Sequence, residues 1–172
     1  MSGNSTQFGM ALAHGDHHVV EWAGAVIACF VVGAFIGSLV YASGRSFRIQ
    51  LVLACELVCF LTAWKFNAAF GTNVVLLFVA LAMGMQNAIH EAVAGAATGK
   101  SFITGALFGT GDALARACLG KTHFAEAGAN AFSWLAFVTG VTIGTFAVGS
   151  LGVASAILAA AGIVVALMGL TL

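Results

Sequence analysis

Trp22-Ala-Gly-Ala-Val-Ile-Ala-Cys-Phe-Val-Val-Gly-Ala-Phe-Ile-Gly-Ser-Leu-Val-Tyr-Ala42 runs for twenty-one residues without a charged side chain. A helix needs about 20 such residues to cross the hydrocarbon of a bilayer. Comparable windows follow at Ile49–Ala69, Val74–Ala97, Ala131–Gly149 and Leu151–Leu172. Lipid offers backbone groups no hydrogen-bond partners, and the alternating pattern of a membrane barrel is absent, so each window reads as a helix. The expectation is an all-α membrane protein with five transmembrane helices.

Composition agrees. Of 172 residues, 61% are hydrophobic and 7% charged, none is proline, and the formal net charge is zero; mean hydropathy is +1.06. Soluble domains carry roughly a quarter charged residues, so twelve charges cannot clothe a surface in water. Nor do six Lys and Arg against six Asp and Glu supply a basic face for nucleic acid. The expected partner is the lipid bilayer. Cys29, Cys55, Cys59 and Cys118 imply no disulfide framework, and three of them lie in apolar runs where cysteine behaves as a small hydrophobe. No metal or cofactor is expected.

Arg45, Arg48, Lys100, Arg116 and Lys121 fall in two loops that five helices place on one side, which the positive-inside rule makes cytoplasmic. The C-terminus is then cytoplasmic too, while 1–20 and 70–73 face outward. Lys65 is the exception, its stem free to snorkel beside Trp64. Residues 1–20 carry neither a basic start nor an apolar core, so they read as neither signal peptide nor anchor.

The chain also matches itself. Met1-Ser-Gly-Asn-Ser-Thr-Gln-Phe-Gly-Met-Ala-Leu-Ala13 aligns with Ile103-Thr-Gly-Ala-Leu-Phe-Gly-Thr-Gly-Asp-Ala-Leu-Ala115. Five residues out of step, Phe30-Val-Val-Gly-Ala-Phe-Ile-Gly-Ser38 aligns with Phe137-Val-Thr-Gly-Val-Thr-Ile-Gly-Thr145. Two matches in the same order argue for duplication, and the loop charges put the copies in opposite orientation. An inverted 3+3 repeat is expected within one integral-membrane domain, with 1–73 an incomplete first repeat and 74–172 the second. A helix precedes the glycine-rich segment only in the second copy, so the first helix of the first copy is expected to be missing.

Met1-Ser-Gly-Asn-Ser-Thr-Gln-Phe-Gly9, Gly84-Met-Gln-Asn-Ala88, Phe102-Ile-Thr-Gly105 and Gly111-Asp-Ala-Leu-Ala115 together resemble the YoaK family of bacterial multipass membrane proteins over essentially the whole chain. The resemblance implies an inner-membrane location and solute transport, with no established reaction. Family members usually carry a further helix before the Ser/Thr-Gly-Asn motif.

The glycine-rich segments are too short and polar to span, and are expected to be re-entrant or broken helices opening at Ser2, Gly3 and Asn4 and at Thr104 and Gly105. Half-helices of this kind aim free N–H groups at a substrate near the midplane; close packing through glycine is the alternative. On the third window Gln86, Asn87, His90 and Glu91 recur at helical spacing as one polar stripe, and polar groups at that depth need partners or water. Ser2, Gly3, Asn4, Gln86, Asn87, Thr104 and Gly105 are therefore the expected binding residues for an unidentified small solute. Glu56, mid-helix, must be paired or protonated, which makes it the candidate for proton coupling, a hydrogen bond from the neutral acid being the plainer reading. Asp112 and Arg116 are spaced for an ion pair. Gly33, Gly37, Gly140 and Gly144 form two GxxxG packing faces. A membrane scaffold or homo-oligomer built on those faces is the competing reading to transport.

Enzyme signals fail. Ala94-Gly-Ala-Ala-Thr-Gly-Lys-Ser101 fits a loose phosphate-loop pattern, but it follows a membrane window rather than a buried strand. His90-Glu91 lacks the second zinc histidine. His14, Asp16, His17 and His18 could bind a divalent cation, though such surface clusters are usually only solvated.

Overall fold

A computed structural model describes residues 1–44, 47–89, 92–93, 96–97 and 103–171. The described chain is helical almost throughout: α1 (Ser2–His14), α2 (His17–Ala42), α3 (Arg48–Phe70), α4 (Thr72–Gln86), α5 (Ile103–Cys118) and α6 (Phe124–Leu170). Two residue pairs, β1 (Ala92–Val93) and β2 (Ala96–Ala97), lie antiparallel between α4 and α5. Three helices, α2, α3 and α6, are long and apolar enough to cross a membrane; α4 is apolar but shorter. Their large side chains face outward, with Phe35 64% and Phe146 76% exposed. Water would not tolerate apolar surface on that scale, so this is an integral membrane protein.

The 47 residues of α6 would measure about 70 Å as one rod, twice a bilayer. Gly152 prevents that. Its φ of 79° and ψ of 164° interrupt the helix, and two helices meet there. By contacts the chain forms two units, one of residues 1–89 with 151–172 and one of residues 90–150.

In the first unit, glycine decides the packing. A Cβ built on Gly33 would strike the Leu81 carbonyl, and one on Gly84 the Phe30 carbonyl. Gly37 stands in the same relation to Met85. Because Gly33 meets Leu81 and Gly37 meets Met85, α2 and α4 run in the same direction, backbone on backbone. Apolar burial gives helices in lipid little reason to associate; close van der Waals packing does. Gly71, at φ 75°, turns the chain from α3 into α4, where Phe66 stacks on Phe78 with ring centroids 6.1 Å apart. The Gln50 side-chain amide donates to the Thr171 carbonyl, which ties the start of α3 to the end of α6. Residues of α3, α4 and the last part of α6, among them Val52, Phe60, Ala82 and Ile157, make the core.

Two expectations are corrected here. The third apolar window ran to Ala97, but α4 stops at Gln86. The Asn87 side-chain amide donates to the Met83 carbonyl at 2.7 Å, and Ala88 and Ile89 make tighter bonds to Met85 and Gln86 three residues back. Asparagine competes locally for backbone groups and favours helix ends. The polar stripe is therefore not a face of α4: Gln86 is its last residue and Asn87 its cap, while His90 and Glu91 lie outside the described residues. Arg45, Lys100 and most of Ala94–Ser101 lie outside them too. The second concerns the scaffold alternative: Gly33 and Gly37 do form a packing face, but it is buried against α4 within the chain rather than open to a partner.

In the second unit, Gly120 at φ 69° reverses the chain between α5 and α6. The Asn130 side chain packs against Gly109, 3.0 Å from where a Cβ would sit, so α5 doubles back along the start of α6. A Cβ on Gly140 or Gly144 would meet open space.

Candidate solute cavity

The α1–α2 hairpin builds the site. Gly15, left-handed at φ 70°, ends α1, and the N–H groups of Gly15 and Asp16 donate to the Leu12 and Ala11 carbonyls. Only glycine adopts this conformation cheaply. Asp16 then caps α2, its carboxylate accepting from the Val19 N–H at 3.2 Å. Phe8 lies against Gly24, where a Cβ would come within 3.3 Å of the ring. Phe8 and Gly24 stand about equally far from the turn, so α1 folds back along α2.

That return leaves a cavity of about 390 Å³ between α1, α2 and α4. Met1 at the N-cap of α1, and Asn4 and Gln7 within it, line the cavity at three-residue spacing. From α2 come His18, Val19, Trp22, Ala23 and Val26, and from α4 come Asn73, Leu76, Val79, Ala80 and Met83. The walls are mainly apolar, with a few polar side chains, as small-molecule sites usually are. Among the described residues, no Asp, Glu, Lys or Arg side chain lines it. Asn4, Gln7 and Asn73 each bring donors and an acceptor, His18 brings one of each when neutral, and Trp22 brings a donor. The His18 and Trp22 rings lie 6.4 Å apart. Such a lining offers hydrogen bonds to a polar group and apolar contact to the rest of a small molecule, with His18 its one ionisable side chain among the described residues.

Of the residues expected to bind solute, Asn4 lines the cavity. Ser2 and Gly3 sit in the same first turn of α1 but do not line it, and Gln86 and Asn87 lie past the far end of α4's lining stripe. Thr104 and Gly105 open α5 in the second unit. Gln7, His18, Trp22 and Asn73 were missed. Asn4 and Gln7, and His18 and Trp22, do share helical spacing, but the sequence does not say that Asn73 faces them.

Glu56 is 2% exposed, and its Oε2 has no hydrogen-bond partner among the described residues. Arg116 pairs with Asp112 as the spacing predicts, Nε to Oδ2 at 2.8 Å, and also reaches Glu126 across the turn at 2.5 Å. Thr122 donates to the same carboxylate at 2.8 Å. The bonds to Glu126 and then Asp112 hold the Arg116 guanidinium above its ordinary value. This cluster pins the α5–α6 turn. The His14–His18 segment is spent locally, Asp16 on the cap and His14 on the Met10 carbonyl at 2.7 Å. Among the described residues no three His, Cys, Asp or Glu side chains converge as a metal site would require.

No curated relative and no solved structure matches the chain. A family model does, over residues 1–170, which is nearly the full length. In agreement with the family resemblance of its motifs, the chain belongs to the family described as protein of unknown function (DUF1275).

Proposed function

We propose that this protein is a multipass transporter of the bacterial inner membrane that moves a small uncharged solute by alternating access through the α1–α2–α4 cavity. The cavity carries the reading. It is a space with apolar walls, three carboxamides, an imidazole and an indole, and among the described residues no Asp, Glu, Lys or Arg side chain, set between α1, the membrane-length helix α2 and the apolar helix α4. The break at Gly152 supports a count of five spans, α2, α3, α4 and the two parts of α6. Helix boundaries support the repeat. The alignment that pairs residue 30 with 137 carries the start of α2 at His17 onto the start of α6 at Phe124, and each of these helices follows a short one closed by a left-handed glycine. Two inverted halves are the usual frame for alternating access. The loop charges favour a cytoplasmic C-terminus. No catalytic role is proposed.

The test is uptake of uncharged polar solutes into liposomes holding the purified protein, with Trp22 emission read alongside. A solute that shifts Trp22 emission and is taken up, with both effects lost in Asn4→Leu, supports the reading. Absence of uptake and of any Trp22 response across the panel overturns it. One observation favours the scaffold reading, the open space at Gly140 and Gly144 on α6. Dimerisation lost in Gly144→Leu, without solute flux in the parent, would select it.

A further inference from the structure

Val52, Leu53, Glu56, Cys59, Phe60 and Ala63 recur at helical spacing on α3, and all six are buried. The five neighbours of Glu56 on this stripe belong to the core, so the carboxyl faces inward with them. It is 2% exposed and Oε2 is unpartnered among the described residues.

Among the described residues, the elements packed on that stripe bring no counter-charge. Neither α4 nor the part of α6 after Gly152 contains a titratable side chain. The α2 residue against the core is Val40; the ionisable residues of α2 are His17, His18, Glu21, Cys29 and Tyr41. On α3 itself Cys55 and Cys59 are free cysteines near Glu56, Lys65 projects from another face nine residues on, and Arg48 lies over the Tyr41 ring at 4.3 Å. A lone carboxylate cannot be held in such surroundings without a partner, whereas the neutral acid can. The packed state therefore holds a proton on Glu56.

α4 stands between this acid and the cavity. Val75, Ala82 and Met85 join the core around α3, while Asn73, Leu76, Ala80 and Met83 line the cavity on another face, and Val79 touches both. We propose that Glu56 is a proton-binding site whose loading and release are linked to the state of the cavity through α4. Release requires water to enter between α3 and α4: the carboxyl O–H breaks, the proton passes to that water, and the electron pair stays on the carboxylate. The same displacement of α4 moves one wall of the cavity. This inference rests on the solute-site reading above.

The test uses the full chain in liposomes. Trp64→Phe and Trp134→Phe leave Trp22 as the fluorophore, and His17→Gln with His18→Gln removes the imidazoles beside it. The scan runs from mildly acidic to mildly alkaline pH. The expected result is a pH-dependent shift in Trp22 emission that is lost in Glu56→Gln, which mimics the loaded acid, and returns at a displaced midpoint in Glu56→Asp. Emission that ignores pH, or a shift that survives Glu56→Gln, overturns the proposal. Should Glu56→Gln fail to insert, infrared spectra of the parent decide: a protonated-carboxyl band at neutral pH that vanishes in alkali supports it, and absence of that band overturns it. A pH-linked Trp22 signal without solute uptake would sink the transport reading alone. Uptake that is unchanged in Glu56→Gln and indifferent to a proton gradient would sink this inference alone.

Discussion

Gly37 on α2 lies so close to Met85 on α4 that a methyl group on it would sit 2.5 Å from the Met85 carbonyl oxygen and 2.7 Å from its Cα. The obstacle is backbone, which cannot swing aside as a side-chain tip can. Gly33 and Gly84 meet the same kind of obstacle from either helix. Three glycines thus set the distance between α2 and α4, and that distance in turn sets the width of the cavity beside them.

The first prediction follows from that contact. Gly37→Ala and Gly84→Ala should each destabilise the protein by about 2 kcal/mol or more, since overpacking a tight contact costs about 1–3 kcal/mol even where side chains can shift. Gly140→Ala and Gly144→Ala meet open space and should be neutral or gain up to about 1 kcal/mol from helix propensity. Thermal unfolding in detergent compares the four. Equal effects at all four sites would contradict the packing assigned to α2 and α4.

Gly152 is the second case. Its φ of 79° with ψ of 164° belongs to a region that is essentially glycine's alone. Gly152→Ala should cost about 1–3 kcal/mol for the strained backbone, and should favour one continuous α6 too long for a bilayer. The readout is the sidedness of a cysteine introduced at Gly169, together with the yield of folded protein. Wild-type yield and sidedness would show that the break is not required.

How far the sequence could be read depends on the kind of information each feature carries. The ends of α2 and α3 fall near the edges of their apolar windows because the cost of leaving lipid is written in composition. The end of α4 is not, since a hydropathy window averages over Gln86-Asn87, whereas the helix responds to one side-chain bond from Asn87 to Met83. Asp112 and Arg116 were legible because their spacing is local; Glu126 was not, because only the Gly120 turn brings it near. The cavity assembles residues from three helices, and no spacing along one helix reveals that Trp22 and Asn73 share it.

Topology supplies the third prediction. Cys118 is exposed at the end of α5, between Arg116 and Lys121, whereas Cys59 is buried and Cys29 and Cys55 are partly so. If the basic loops are cytoplasmic, a membrane-impermeant thiol reagent should spare Cys118 in intact cells and label it in inverted vesicles. Labelling of Cys118 from outside would reverse the proposed orientation.

The last prediction separates the cavity from the polar stripe that the sequence alone suggests. Asn4 and Asn73 line the cavity from α1 and α4, while Asn87 does not line it and its amide bonds the Met83 carbonyl at 2.7 Å. A net hydrogen bond is worth about 0.5–1.5 kcal/mol, and each 1.4 kcal/mol is about tenfold in affinity. Asn4→Leu and Asn73→Leu should therefore each weaken solute binding by about two- to tenfold, and the double variant by more. Asn87→Leu loosens the end of α4, so its effect should fall on thermal stability while the affinity of the folded protein holds. Titration of the solute against Trp22 emission, with unfolding measured on the same samples, gives both quantities. If Asn87→Leu abolishes binding at unchanged stability while Asn4→Leu and Asn73→Leu bind normally, the solute does not sit between α1, α2 and α4, and the site must be sought at the end of α4.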